Sequence, residues 1–427
     1  MDEREHTDTP NAQHIISPRV KETYDRLLNN FSVQETLEFI RGDNANTTED
    51  QIKITEIPAP SFMEQQRGQY YKGRLRDLGL REVQIDAEGN VFAIRKGIGR
   101  GPTVFVSAHL DTVFPEGTST TVNKIGERFY APGISDDGRG LAVILALLRA
   151  FNEAKIETEG DIIFGATVGE EGLGDLRGAK AFFRAHPNMD GFISIEPGEP
   201  TRTTYLATGS HRYKVTYKGP GGHSFGEFGI PSAIHAVCRA VAMIADLEVP
   251  EYPKTTFTVG EIKGGTSVNT IAAEATMMID LRSNSEVELR VLEQQVLARV
   301  EQAARQENAR WKKNSLQVQI ELVGNRPAGT QPADVRIVQA ALASSQALGY
   351  VPELNEAQST DSNVPISLGI PAITLGGGGA FGGTHTLDEF FEPTGAYCAV
   401  QRIFLTVLGL VGLHNATEPL LAHHAEM

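Results

Sequence analysis

Thr103-Val104-Phe105-Val106-Ser107-Ala108-His109-Leu110-Asp111-Thr112-Val113 opens as a short apolar run and then brings an imidazole and a carboxylate two positions apart. A run this short, apolar on both alternating faces, suits a strand buried inside a parallel sheet. Reading outward, further strands are predicted at residues 82–86, 91–94, 161–168 and 191–195, and helices at 140–151 and 178–185. Strands alternating with helices define an α/β domain with a mostly parallel sheet. Upstream, Ser17-Pro18 opens a helix, residues 31–41 have helical apolar spacing, Pro58-Ala59-Pro60 is a turn, and residues 62–80 read as an amphipathic helix. Residues 1–15 read as a disordered tail. The pattern changes near Gly209. Strands at 211–217, 255–262, 272–281 and 316–322, with helices at 231–247 and 285–306, run β-α-β-β-α-β, the split ferredoxin-like order. The α/β pattern resumes with a helix at 334–348, a strand at 372–375 and a helix at 394–413. The expectation is therefore a small α+β domain, 209–323, inserted into a larger one built from 1–208 and 324–427.

Composition excludes several classes. The 427 residues carry 39 Lys+Arg against 54 Asp+Glu, a formal charge of −15, with no basic stripe. Such a chain is a poor partner for a phosphate backbone or an anionic membrane. Arg310-Trp311-Lys312-Lys313 is too short a basic stretch to change that. Two cysteines, Cys238 and Cys398, rule out a disulfide scaffold, an all-thiolate zinc site and an iron–sulfur cluster built by this chain alone. The longest apolar stretches, 141–148 and 403–413, fall short of the roughly 18 residues a membrane span needs. The charged start, Met1 to Pro10, lacks the apolar run of a secretory signal, so the expectation is a soluble cytoplasmic protein.

The chemistry-bearing residues recur at one kind of place. His109 stands just past the strand, where open parallel sheets hold ligands, and Asp111 can accept the other imidazole N–H. Gly133-Ile134-Ser135-Asp136-Asp137-Gly138 puts two carboxylates at the start of an apolar helix. Gly169-Glu170-Glu171-Gly172 follows a buried strand, and Glu196 another. Adjacent like charges are costly without a cation, and adjacent side chains diverge, so one acid of the pair can bind a metal while its neighbour meets water. Gly383-Thr384-His385 offers a second imidazole on a glycine-rich loop. Two histidines and several carboxylates without thiolates suit Zn2+, Co2+ or Mn2+. Two such ions, bridged by a carboxylate and a water, would satisfy the charge count.

His-x-Asp-x-Val at 109–113, Gly-Glu-Glu-Gly at 169–172 and Gly-Thr-His at 383–385 together resemble the co-catalytic zinc amidohydrolases that include aminoacylase, acetylornithine deacetylase, succinyl-diaminopimelate desuccinylase, glutamate carboxypeptidase and peptidase T. The resemblance runs from about Thr55 to the C-terminus. It implies that His109 binds one ion and His385 the other, that Asp136 bridges them, and that Glu171 and Glu196 complete the two sets. It also implies that Asp111 orients His109 and that Glu170 is the general base acting on the bridging water. In the inserted domain, which the resemblance makes a lid and dimerisation domain, Gly222-His223-Ser224 is similar to the family segment whose histidine holds the oxyanion, often across a dimer interface. Asn269 and Arg282 match the family's asparagine and arginine elements, with Arg282 gripping a substrate carboxylate. Asp137-Gly138-Arg139 departs from relatives that carry Lys or Met shortly after the bridging Asp. Residues 174–180 resemble the peptidase T branch, whereas Glu196 in place of Asp resembles the deacylases. The implied function is hydrolysis of an amide bond in a small peptide by a homodimer. An N-acyl amino acid deacylase uses the same site, and a silent binding module is the third reading, which the retained Glu170 opposes.

Overall fold

The computed structural model describes residues 16–423, so the 1–15 tail lies outside the described residues. The chain divides into two units: one runs up to Leu206 and resumes at Thr330, and the other is Ala207–Gly329. Among the described residues no helix is long and apolar enough to cross a membrane.

The larger unit is built on an eight-stranded sheet in the order Gln84–Ile85, Val91–Arg95, Asp161–Thr167, Thr103–His109, Gly191–Glu196, Ala372–Gly376, Arg202–Thr204, Glu353–Leu354. The four central strands from Asp161–Thr167 to Ala372–Gly376 are parallel to one another. Their near-continuous burial matches their apolar sequences. Helices Gly138–Glu153 and Tyr397–Val411 are buried over almost their whole lengths and share one core with the sheet. Because the four strands run the same way, His109 and Glu196 end their strands on the same edge, and Glu170 and Glu171 follow Thr167 there.

Three features depart from the sequence expectation. A helix at Asn44–Thr55 has no apolar periodicity because its buried face is polar. Arg149 reaches down to Asp43, Thr47 and Asp50, and the Gln51 amide donates to the Ile134 carbonyl at 2.8 Å. The helix expected from residue 62 starts at Gln65, since Phe62 takes a left-handed φ of 74° and its N–H donates to Glu64 Oε1. A small antiparallel sheet of Ala380–Gly382, Phe390–Glu392, Arg128–Tyr130 and Asn123–Ile125 consists of three-residue strands, too short to show a period.

The inserted unit has a four-stranded antiparallel sheet ordered Thr255–Gly264, Glu274–Ser283, Gly209–Lys218, Gln317–Arg326, with helices Ala233–Ala245 and Glu286–Arg310. Second, third, first, fourth is the ferredoxin-like strand order that the β-α-β-β-α-β sequence calls for. One face of Glu274–Ser283 is buried at every second residue, and the core beneath it draws on both helices.

Candidate active site

His109 is the last residue of its strand and is buried, 1% exposed. Its backbone N–H donates to Asp137 Oδ2 at 3.1 Å, and Nδ1 lies 2.9 Å from the Asp111 carbonyl oxygen. The Asp111 carboxylate stands 3.7 Å from Nδ1, so the backbone carbonyl, rather than the expected carboxylate, is the hydrogen-bond partner that orients the ring. The carboxylate has other work. Oδ1 accepts from the Glu170 N–H at 2.9 Å, and Oδ2 accepts from the Glu171 N–H at 3.0 Å and the Ser61 hydroxyl at 2.7 Å. Asp111 thus sets the backbone of the acid pair.

Asp136 sits between the two imidazoles. Its Oδ1 is 2.9 Å from His109 Nε2, and its Oδ2 is 3.1 Å from His385 Nε2. His385, at a left-handed φ of 65°, also places Nε2 3.0 Å from Glu171 Oε1. Glu196 Oε2 is 3.7 Å from His109 Nε2. Among the described residues, three groups can each bring one ligand atom per residue within 4.8 Å: His109, Asp136 and Glu196; Asp136, Glu171 and His385; and His109, Glu170 and Glu171. The first two share Asp136, one through each imidazole. Asp137, the second carboxylate at the helix start, caps helix Gly138–Glu153 through Gly140 and also holds the His109 N–H. Ser61 and Glu389 were missed in the sequence reading. Glu389 accepts from Gly133, Ser135 and Asp136 without being exposed at all. Its signal was available: a carboxylate four residues after His385 on the same loop.

The donor set is chemically incomplete without a cation. Burial resists a charge on His109, yet the surrounding Asp111, Asp136, Glu196 and Asp137 hold its pKa well above the usual value. Hydrogen bonds to Asp136 and Glu171 raise His385 to about 10. Burial pushes Glu196 well above the ordinary carboxylate range, helped by Asp137, Glu170 and Asp136 and opposed by His109. Asp136 is lowered: burial opposes its charge, but His109 and His385 outweigh it. Glu196 Oε1 is buried with no hydrogen-bond partner. Imidazoles of raised pKa beside carboxylates, and a buried Glu196 oxygen without a hydrogen-bond partner, make a donor set that fits divalent cations.

In the inserted unit, His223 and Asn269 are exposed and adjacent. Gly222–His223 pairs with Thr270–Ile271, and the Ser224 N–H donates to the Asn269 carbonyl at 3.0 Å. His223 Nδ1 accepts from the N–H groups of Phe225 and Gly226, both at 3.2 Å, which leaves the neutral ring's proton on Nε2. Arg282 is not brought to them. It lies eight residues beyond Glu274, about 25 Å along the strand at ~3.3 Å per residue. Its Nε donates to Asp280 Oδ2 at 2.7 Å, and Asp280 also takes Ser210 and Arg212.

Residues 105–408 match the peptidase family M20/M25/M40. The chain belongs to that family. As an M20 protein it is a hydrolase acting on amide or peptide bonds. Over 358 residues it is 26% identical to the YqjE protein of Bacillus subtilis (strain 168), covering 80% of this chain and 92% of that one. Its fold is similar to a tripeptidase from Staphylococcus aureus subsp. aureus mu50, with a TM-score of 0.70 at 21% identity over 85% and 97% of the two chains. It is also similar to the dipeptidase Dug1p from Saccharomyces cerevisiae, with a TM-score of 0.70 at 13% identity over 88% and 98%. At these identities the two structures speak for the fold.

Proposed function

We propose that this M20 chain is a two-metal exopeptidase of small peptides. The observation that carries the reading is Asp136, whose two carboxylate oxygens each meet a different imidazole. His109 with Glu196 would hold one divalent ion, His385 with Glu171 the other, and Asp136 both; Zn2+ suits this donor set best, with Co2+ and Mn2+ as alternatives. Bound there, the ions supply Lewis acidity and lower the pKa of water.

The chain's own residues do the rest. Asp111 fixes the backbone of Glu170 and Glu171, so the two neighbouring acids point to separate tasks. Glu170, the acid not needed for the shared pair of sites, takes the proton from the attacking water and returns it to the departing amine. His223, with its proton on Nε2, donates a hydrogen bond to the developing oxyanion. Asn269, whose carbonyl accepts from the Ser224 N–H next to His223, binds substrate beside it. Arg282 binds the substrate carboxylate in a bidentate grip, for which it must exchange its contact with Asp280.

The resemblance of the Gly222-His223-Ser224 segment supports a homodimer in which each copy's His223 completes the other's site. The exposed edge strand Thr255–Gly264 is available for such pairing.

A panel of dipeptides, tripeptides and N-acetyl amino acids, run with Zn2+, Co2+ and Mn2+, tests the reading. Cleavage of short peptides is expected. Cleavage confined to N-acetyl amino acids assigns a deacylase instead, and bound metal without any hydrolysis assigns a silent binding module.

A further inference from the structure

Glu389 has no hydrogen bond to either imidazole, yet its carboxylate accepts four. Its Oε1 accepts from the Ser135 N–H at 2.8 Å, the Ser135 hydroxyl at 2.6 Å and the Asp136 N–H at 3.0 Å, and its Oε2 accepts from the Gly133 N–H at 2.9 Å. Three of the four partners are backbone N–H groups, which only accepting oxygens can meet on both sides of the carboxyl; burial raises its pKa, and these bonds oppose that by favouring its charge.

The position of Glu389 in the chain matters as much as its contacts. It lies four residues beyond His385, and the intervening turn is tied by Thr386 N–H to the Gly383 carbonyl at 2.9 Å and by the Thr386 hydroxyl to the same oxygen at 2.6 Å. Its own carbonyl accepts from the Ala131 N–H at 3.1 Å, and the next residue, Phe390, pairs with Tyr130 in the small antiparallel sheet. One residue therefore clamps the 131–136 segment, which ends in Asp136, to the segment that carries His385. Gly133, at a left-handed φ of 75°, lets the 133–136 amides converge on a single carboxylate.

We propose that Glu389 is a positioning residue that sets the Asp136 carboxylate between His109 and His385, and so tunes the affinity for both ions at once. This rests on the two-metal reading above. A partner that orients a metal-binding carboxylate typically alters metal affinity by about 10–100-fold when lost. Glu389→Gln keeps the size and removes the match: its amide oxygen can replace one carboxylate oxygen, but its NH2 then faces an N–H or O–H, donor against donor.

The test measures Zn2+ dissociation constants of the metal-free protein by competition with a chromophoric chelator, with calorimetric melting alongside. Glu389→Gln is expected to stay folded, to bind Zn2+ about 10–100-fold more weakly, and to recover kcat when excess Zn2+ is supplied. A purely structural role lowers Tm and leaves the dissociation constants alone, and that result overturns the inference. Should Glu389→Gln fail to fold, Ser135→Ala removes a single donor from the same carboxylate; a several-fold weaker affinity supports the inference and an unchanged one overturns it. Wild-type protein that binds no Zn2+ overturns the two-metal reading and this inference together, whereas two ions bound equally by wild type and variants overturn this inference alone.

Discussion

Apart from the half-exposed His385, the two units present their functional side chains in opposite ways. In the larger one, His109, Asp111, Asp136 and Glu171 are buried, each held by at least two contacts that come from other loops. In the inserted one, His223 and Asn269 are exposed and held by the short antiparallel pairing of Gly222–His223 with Thr270–Ile271 and by the turn that follows His223. Buried charges demand partners, so the larger unit surrounds its cluster with carboxylates, imidazoles and backbone amides. An exposed histidine keeps its hydration and needs little support. Substitutions in the first place should disturb metal binding as well as catalysis, whereas those in the second should change the reaction and leave metal and stability intact.

Asp136→Ala breaks the larger unit's side of this contrast most severely. Both ions lose a shared ligand, so elemental analysis should find them depleted and activity should fall to background. Wild-type metal content in that variant would remove Asp136 from the centre. Glu170→Gln sharpens the contrast, because the two ions should remain while kcat drops by about 10²–10⁴-fold. An unchanged kcat moves the base elsewhere.

His223→Ala probes the other side. We expect kcat to fall by about 10²–10³-fold with Tm and metal content unaltered. Mixed with Glu170→Gln and allowed to exchange subunits, it should regain about a quarter of wild-type activity, since half the dimers are mixed and each has one intact site. No recovery in mixed dimers would place His223 in its own copy's site. The smallest effect is on pH. In the metal-free protein His385 is raised to about 10 and carries its proton at neutral pH, and His109 is raised as well. Ligation needs neutral imidazoles, so ion binding releases protons. Apparent affinity should fall by about tenfold per pH unit for each proton displaced as pH drops, and flatten as pH rises past the imidazole value. Calorimetry in buffers of different ionisation enthalpy reads the proton count directly, and buffer-independent heats near neutral pH would contradict it.

Much of the architecture was legible in the chain. The runs at 103–107 and 161–168 are apolar because both faces of their strands are covered, and the alternation at 211–217 reflects a sheet covered on one face. Helix Asn44–Thr55 escaped that logic because ion pairs and hydrogen bonds, rather than apolar contacts, fill its buried face. The three-residue strands around Phe390 escaped it because a period needs length to show.

The sequence by itself determined which residue types stand after which strands, since parallel strands must deliver their loops to a common edge. It could name His109, Asp136, Glu170, Glu171, Glu196 and His385 one at a time. Only the tertiary structure decided that Asp136 lies between two imidazoles, that the Asp111 carboxylate holds the acid pair's backbone while its carbonyl meets the His109 ring, and that Glu389 ties two distant loops together. It also decided that Arg282 pairs with Asp280 near the end of its strand. These are matters of distance between segments up to about 280 residues apart, and no local propensity encodes a distance across the fold.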